Sequence, residues 1–301
     1  MSKKSVLSVL LLSVIWGSYY VASQRTVAGL SVFSAGFYIR FVTWILLTLV
    51  MAAKKELPRL AQVKYVLLPL VMIGVLGFLL DATAFIGLSM GSAATGTALL
   101  KTDVLMVSLI SVIVYKTKLS WKQWLCMLIM LAGVMLVIGI TPEKIDLANW
   151  GNVFFLLSAL FVSINAFLIK SVQHHEKNPV CDDVVAYYNN FVCMLLFLAA
   201  IIIGGRFSEG RALTEDRGLR LTLLLASLGQ TLVYFIYYYD LRRLPVWFVK
   251  VFLLTMPIVS NLICLLLFHE ALTAMQYLGM AVILAGAAGV LLEQRHVQAH
   301  T

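Results

Sequence analysis

Long apolar stretches alternate with short polar ones along the whole chain. Each apolar stretch is about 20 residues long, which as an α-helix matches the hydrocarbon thickness of a bilayer. None shows the strict alternation of a membrane-spanning strand, and a helix satisfies its own backbone hydrogen bonds inside lipid. The pattern predicts an all-α polytopic membrane protein with ten transmembrane helices. The predicted helices are residues 5–24, 32–53, 65–89, 92–115, 120–140, 150–170, 182–204, 219–241, 245–268 and 273–292.

Composition and charge agree with this interpretation. Apolar residues make up 61% of the chain and charged residues only 12%, whereas charged residues are about 25% of an average soluble domain. The net charge of +9 does not require a nucleic-acid partner, because so few basic residues more simply orient helices toward an anionic cytoplasmic leaflet. Lys3 and Lys4 precede an apolar run that continues to Gln24. That run is too long for a signal peptide, so we predict a first transmembrane helix there.

The distribution of lysine and arginine predicts the orientation of the helices. If the N-terminus is cytoplasmic, most basic loop residues fall on the cytoplasmic side, and with ten helices the C-terminus does too. Most of the remaining basic residues fall between Arg206 and Arg220, a loop that also carries Glu209, Glu215 and Asp216. We therefore expect both termini in the cytoplasm and membrane lipids around the helices.

The second half of the chain repeats features of the first. Three pairs of segments match in order: Leu12-Ser13 with Leu157-Ser158, Phe41-Val42 with Phe191-Val192, and Leu131-Ala132-Gly133 with Leu284-Ala285-Gly286. Each half then has five helices, and an odd number forces the two copies into opposite orientations. The sequence predicts two inverted five-helix repeats, residues 1–145 and residues 146–301, with a site near the midplane between the copies.

Four charged residues stand out within the predicted helices, namely Asp81, Lys101, Asp103 and Lys250. A charge near the bilayer centre costs about 2.5–3.5 kcal/mol on insertion scales, so it normally faces a partner or a cavity. Lys250 lies about one turn into the ninth helix. It either extends its stem to the cytoplasmic surface or contacts substrate or a lipid phosphate at an inner gate.

Asp81 and Lys101 are equally far from the turn near Met90-Gly91, so an antiparallel helix pair would bring them to one depth, roughly 15 Å from that turn. They either form a structural ion pair or contact substrate, in which case they recognise the amine and the carboxylate of a zwitterion. Asp81 is also the candidate for proton coupling. Asp103 lies about 200° around the helix from Lys101 and is expected to be structural.

Aromatic and amide side chains complete the predicted site. Trp16, Tyr19, Phe161 and Tyr234 could surround an ammonium group, although aromatic stripes more often serve packing. Asn165 either contacts substrate or joins helices as a buried amide. The full set of predicted substrate-binding residues is Trp16, Tyr19, Asp81, Lys101, Phe161, Asn165, Gln230, Tyr234, Tyr238 and Lys250.

Pro257 is predicted to kink the ninth helix and to act as a hinge. Val104 occupies the corresponding position in the first half, which predicts an asymmetric motion. No metal site is expected, because the four cysteines lack CxxC spacing and His174-His175 fall in a solvated loop.

Several short motifs occur in a particular order along the chain. They are Trp16-Gly17, Arg40-Phe41, the segment from Gly91 to Gly96, Pro257, Glu270 and Leu284-Ala285-Gly286. These motifs resemble those of the drug/metabolite transporter superfamily, in its ten-helix EamA branch, over nearly the whole chain. Val104 and Thr117 stand where the family usually has a proline and a glutamate. The resemblance implies a plasma-membrane carrier, here of a bacterial inner membrane, that moves small polar metabolites by alternating access, often outward.

The residues and the resemblance together predict a secondary transporter that exports an amino-acid-like zwitterion. One alternative is uptake of an organic cation or quaternary amine through Asp81 and the aromatic residues. A more remote one is a lipid-handling protein that binds phosphate with Lys250 and Arg242-Arg243. No phosphate-binding loop and no nucleophile-base pair are found in the sequence, so we expect neither ATP-driven transport nor an enzyme, and no cofactor. The oligomeric state is left open.

Overall fold

The structure is a computed structural model that describes residues 3–90, 99–138, 150–268 and 273–299. The described residues form helices joined by short turns, and no strand is found among them. The helices are α1 (Lys3–Gly29), α2 (Val32–Ala53), α3 (Leu67–Met90), α4 (Asp103–Ile113), α5 (Trp121–Ile138), α6 (Trp150–Gln173), α7 (Asp182–Ile203), α8 (Arg217–Arg243), α9a (Val246–Phe252), α9b (Met256–Phe268) and α10 (Ala274–Ala299). The Gly91–Gly96 motif, Glu270 and the repeat boundary predicted at residue 145 lie outside the described residues.

Seven helices of the described chain are long and apolar enough to cross a membrane, judged by length and composition: α1, α2, α3, α6, α7, α8 and α10. The other apolar helices are shorter, at Asp103–Ile113, Trp121–Val137 and Val246–Val259. These three correspond to the predicted fourth, fifth and ninth transmembrane helices. The all-helical class is confirmed, and the topology with ten helices stays a prediction.

Helices α2 and α7 are followed by the same backbone features. Both helices have 22 residues, and α7 begins 150 residues after α2. Lys55 and Gly205, each two residues past its helix, adopt left-handed φ angles of 58° and 64°, as is common just beyond a helix C-terminus. A short 3-10 turn follows in each case, at Leu57–Ala61 and Phe207–Arg211. The same run of elements therefore occurs twice in the chain.

The two recurring helices also pack against each other. The backbone carbonyl of Arg40 in α2 accepts a hydrogen bond of 2.9 Å from Nδ2 of Asn190, the residue at the corresponding position of α7. Gly36 permits this close approach, because a Cβ atom there would lie 2.7 Å from the ring of Phe197. Asn190 therefore has a structural role between these two helices.

The chain forms two compact units, each of which takes segments from both predicted halves. Unit 1 consists of Met1–Val14, Thr83–Ser163 and Leu244–Thr301, and it contains α4, α5, α9a, α9b and α10. Unit 2 consists of Ile15–Ala82 and Ile164–Arg243, and it contains α2, α7 and α8. Helices α1, α3 and α6 contribute a part to each unit.

Close packing of α5 against α10 forms a large part of the unit 1 core. A Cβ atom on Gly279 would lie 2.7 Å from the carbonyl oxygen of Gly133 and 2.7 Å from the backbone nitrogen of Val137. Only glycine allows two helix backbones to approach this closely, as small residues do at membrane helix interfaces. Gly286 and Gly289 of α10 serve the same close packing, since both lie against Cys126 of α5.

The predicted fourth and ninth helices are interrupted, contrary to the expectation of continuous spans. A turn at Lys101-Thr102 precedes α4, and a 3-10 turn at Leu253–Thr255 separates α9a from α9b. Pro257 lies in the first turn of α9b, where proline fits a helix, rather than at a kink within a continuous helix. Val104 holds the corresponding position in α4, so the interruption does not depend on proline.

Candidate functional site

A buried ion pair joins the two interrupted helices of unit 1. Nζ of Lys250 in α9a lies 3.0 Å from Oδ2 of Asp103, the first residue of α4. Lys250 is only 2% exposed, so the expectation that its stem extends to the cytoplasmic surface is wrong. The carboxylate gives the ammonium group a partner within the protein, which removes the need to reach water. The hydroxyl of Ser163 also contacts Asp103, donating a hydrogen bond of 3.3 Å to its backbone carbonyl.

Lys101 lies beside this pair but has a different kind of partner. Its Nζ donates to the thioether sulfur of Met256 at 3.4 Å, and a thioether is a weak acceptor. Lys101 interacts electrostatically with Asp103 and with Lys250. Met256 is the first residue of α9b, as Asp103 is of α4. Each lysine therefore contacts the residue that begins the second part of the other interrupted helix.

A second charged cluster lies in unit 2. Nη2 of Arg40 in α2 is 2.7 Å from Oδ2 of Asp81 in α3, and Nη1 of Arg40 donates to the hydroxyl of Tyr234 in α8. The guanidinium carbon also lies 5.6 Å from the centroid of the Tyr234 ring. Arg40 is 7% exposed and Tyr234 is 4% exposed. The cluster is thus a buried, internally neutralised network.

The structural ion pair of Asp81 with Lys101, one of the two predicted alternatives, is not found among the described residues. Asp81 has the guanidinium of Arg40 as its ion partner instead. The prediction compared only Asp81 and Lys101 and did not consider Arg40, which lies on a different helix. The sequence analysis missed Arg40 as the ion partner. A signal was present, since Arg40 is a charged residue inside the predicted span 32–53.

Several polar and aromatic side chains of α8 face the interior of unit 2. Gln230, Tyr234, Tyr237 and Tyr238 are buried, whereas Tyr239 is 46% exposed, as expected for a residue of the interfacial belt. The hydroxyl of Tyr238 accepts a hydrogen bond of 2.5 Å from Nδ2 of Asn189. These contacts fix the buried side chains in the interior of unit 2.

The aromatic side chains predicted to surround an ammonium group already contact other residues of the protein. Trp16 packs edge-on against Tyr237, with ring centroids 5.1 Å apart, and the face of Tyr234 already carries the Arg40 guanidinium. Tyr19 packs against α8, where a Cβ atom on Gly229 would lie 3.0 Å from Cβ of Tyr19. The fourth of these side chains, Phe161, is half-buried and belongs to unit 1.

Asn165 in unit 2 is 4% exposed, and its Oδ1 has no hydrogen-bond partner within the described residues. Within the described residues, no group of three His, Cys, Asp or Glu side chains could hold a metal ion.

The sequence analysis did not identify Asp240, a buried residue of α8 that is 1% exposed.

Comparison with known proteins identifies the class to which this fold and these clusters belong. The chain is a member of the EamA-like transporter family, whose model matches residues 3–139 and 149–292. It is therefore an all-helical, polytopic membrane transporter, and the predicted resemblance is confirmed.

Two curated relatives carry the name "Probable amino-acid metabolite efflux pump". The relative from Escherichia coli (strain K12) is 23% identical over 95% of this chain and 94% of its own length. The relative from Salmonella typhimurium (strain LT2) is 25% identical over 95% of this chain and 94% of its own length. A crystal structure of a protein with 17% identity matches with a TM-score of 0.75 over 99% of both chains. At that identity, the structural match concerns the fold alone.

Proposed function

We propose that this transporter exports a small amino-acid-like metabolite by alternating access, and that Lys101 binds the carboxylate of that metabolite. The names of the two curated relatives support the substrate class and the direction. The relatives share only about a quarter of their residues with this chain, so the contacts of Lys101 carry the argument for its role in the site.

The observation that carries the proposal is the weak partner of Lys101. A lysine ammonium has three donors, and the sulfur of Met256 satisfies one of them poorly. Among the described residues, Lys101 has no carboxylate within ion-pair distance, whereas Lys250 and Arg40 each have one. A half-buried ammonium with donors to spare fits the carboxylate of a solute, because charge-assisted hydrogen bonds are strong where water is scarce.

The interrupted helices favour the same region of the chain. Membrane carriers often bind substrate where helices in corresponding positions of two repeats are broken. Lys101 lies at the interruption before α4 and contacts the residue that begins α9b. These two interruptions fall in the predicted fourth and ninth helices, which are the fourth helix of each proposed repeat.

We propose the predicted topology along with this site. It has ten transmembrane helices in inverted repeats of residues 1–145 and 146–301, with both termini in the cytoplasm and the chain in the plasma membrane. The two separate matches of the family model, to residues 3–139 and 149–292, support a boundary between them. The recurrence of α2 and its following turns 150 residues later supports it as well.

The remaining predicted residues take different parts in the proposal. Asp81 is already held by Arg40, which makes it a weaker candidate for amine recognition and for proton coupling than its position in the sequence suggested. Asn165, with a buried and unsatisfied amide oxygen, is the better candidate for a polar contact in unit 2. Pro257 is proposed as a hinge residue, because it begins α9b directly after the 3-10 turn.

In both alternative functions, residues that would bind the substrate already have partners within the protein. A carrier for organic cations would need the carboxylate of Asp81 and the face of Tyr234, and Arg40 occupies both. A lipid-handling protein would need Lys250 and Arg242 for a phosphate, but Lys250 is bound to Asp103 and Arg242 lies 2.6 Å from Asp182. The contacts therefore favour a carrier for carboxylate-bearing solutes.

Efflux from proteoliposomes tests the proposed function. Vesicles that contain the purified protein are loaded with radiolabelled amino acids and their metabolites, quaternary amines or fluorescent lipids, and loss of each from the lumen or leaflet is followed. We expect efflux of at least one carboxylate-bearing solute and none of quaternary amines. Movement of lipids with no efflux of any soluble compound would contradict the proposal.

Two lysine substitutions test whether Lys101 has a role in efflux that an exposed lysine does not have. Lys101→Met should abolish efflux, because it removes the ammonium group and keeps an unbranched apolar side chain. Lys122→Met is the control. The side chain of Lys122 is 71% exposed, and its ion pair with Glu293 is long, at 3.6 Å. Equal efflux by both variants would show that Lys101 does not bind the substrate.

A further inference from the structure

The charges of the two buried clusters described above do not cancel. In unit 2, Arg40 and Asp81 neutralise each other. In unit 1, two lysines share one aspartate, since Lys250 is paired with Asp103 and Lys101 has only a thioether. One positive charge is left over at the interruptions of the two helices. A buried uncompensated charge is costly in a membrane, so it is expected to serve a ligand.

Among the described residues, the carboxylates of the two clusters already have cationic partners. Asp81 is held by a guanidinium and Asp103 by an ammonium, both within 3.0 Å. Asp240 lies near the C-terminal end of α8, beside Arg242 and Arg243 in the sequence, and not deep in the span. Glu293, the other acidic residue among the described parts of unit 1, accepts a hydrogen bond from Ser120 and faces Lys122.

We propose that the substrate is an amino-acid metabolite with a net charge of −1, a carboxylate whose amine is acylated and therefore neutral, bound at Lys101. This inference rests on the proposed function and narrows its substrate class. A free amino acid would bring a carboxylate that the site can bind and an ammonium group for which the described carboxylates of the two clusters, Asp81 and Asp103, are already paired. An N-acyl amino acid brings only the charge that the cluster lacks, which makes the occupied site electrically neutral.

Matched pairs of solutes test the inference. Proteoliposomes are loaded at neutral pH with an amino acid or with its N-acetyl derivative, so that each pair differs in charge but not in side chain. We expect the N-acetyl compound to leave at least about tenfold faster, the difference that one unpaired charged group produces. Efflux of free amino acids at an equal or higher rate overturns this inference and leaves the proposed function standing. If neither compound leaves for any pair, the proposed function fails too.

Substitutions at Met256 give an independent test that does not remove the lysine. Met256→Glu supplies a carboxylate beside Lys101, so it should abolish efflux of the N-acetyl compounds. Met256→Gln has a similar shape without the charge and should reduce that efflux less than Met256→Glu does. Both variants must elute as a single folded species before they are compared. Equal efflux by the Glu and Gln variants would overturn the inference.

Discussion

Thr102 and Thr255 make the same hydrogen bond at the interruptions of two different helices. Oγ1 of Thr102 donates to the carbonyl oxygen of Leu99 at 2.6 Å, and Oγ1 of Thr255 donates to that of Phe252 at 2.7 Å. The two threonines are 153 residues apart, the same offset that aligns Leu131-Ala132-Gly133 with Leu284-Ala285-Gly286. This shared bond at a shared offset supports the predicted repeat.

Loss of either threonine hydroxyl should destabilise the turn in which it lies. At an interruption, backbone amides donate three residues back, as Thr102 N does to Leu99 O at 3.1 Å, so the hydroxyl supplements a poorer backbone bond. We expect Thr102→Val and Thr255→Val each to lower the free energy of unfolding by about 1 kcal/mol, the net value of one hydrogen bond. Denaturant unfolding in detergent micelles measures this change.

Thr48→Val is the matched control for both substitutions. Oγ1 of Thr48 donates to the carbonyl of Trp44 at 2.7 Å within the continuous helix α2. Regular helical hydrogen bonding satisfies that carbonyl without the hydroxyl, so the stability should change little. A loss for Thr48→Val as large as for Thr102→Val would show that the interruptions do not depend on these hydroxyls.

Arg40 should contribute to stability through Asp81, beyond any effect on transport. Arg40→Met leaves the carboxylate of Asp81 without its cation, and breaking a buried pair in this way costs about 3–5 kcal/mol. The double variant Arg40→Met with Asp81→Leu removes both charges and should recover most of that loss. Lys54→Met is the control, because its pair with Asp183 is 48% exposed on the lysine side and is worth about 1 kcal/mol at most. Thermal unfolding in one detergent compares the four proteins. No recovery in the double variant would mean that Arg40 stabilises the fold through other contacts.

Glu209 should make the stability of the protein depend on acid pH. Its Oε2 accepts a hydrogen bond of 3.1 Å from the backbone nitrogen of Ser31, which caps α2. Burial alone would raise the pKa of the Glu209 carboxyl, but hydrogen bonds from Ser31 and Ser34 and the charge of Arg206 hold the pKa below its ordinary value of 4.5. The folded state thus prefers the ionised form.

The sign of the pH effect follows from that lowered pKa. The stabilisation by Glu209 is fully present above pH 4.5, the ordinary value, and is lost as the pH falls through the lower pKa of the folded state. We expect Glu209→Gln to be less stable than the parent at neutral pH, and the difference to shrink as the pH drops below that value. Unfolding curves between neutral and acid pH measure it, with Glu215→Gln, an exposed carboxylate of the same loop, as the control. A difference that does not change with pH would contradict the assignment.

Helix positions could be predicted from the sequence where capping residues and apolar periodicity agree. The predicted span 32–53 coincides with α2, and the predicted span 182–204 differs from α7 by one residue. Ser31 shows why, because its side chain accepts from the backbone nitrogen of Ser34 and marks the start of α2. Local signals of this kind depend only on neighbouring residues.

The partners of the buried charges could not be predicted in the same way. Asp81 was matched with Lys101 by a residue count from the turn near Met90-Gly91, and such a count gives depth along a helix but does not identify the ion partner, which is Arg40. The ion pair between Asp103 and Lys250 joins residues 147 apart, and no local pattern reports such a contact. Arg40 was overlooked because its role depends on residues of α3 and α8, far from it in the sequence.

Val104 should tolerate proline, although it lies in an apolar helix. It occupies the first turn of α4, as Pro257 does in α9b, and its backbone nitrogen makes only a long bond of 3.4 Å to Lys101 O. Proline usually disfavours helical geometry in the preceding residue, yet Met256 before Pro257 keeps φ −53° and ψ −42°. Asp103 precedes Val104 as Met256 precedes Pro257. We therefore expect Val104→Pro to change the free energy of unfolding by less than about 1 kcal/mol. Val107→Pro, in the middle of α4, should cost about 3 kcal/mol or more because it removes a regular helical bond. Thermal unfolding and gel-filtration profiles in detergent distinguish the two, and equal damage by both prolines would show that α4 is not interrupted before Asp103.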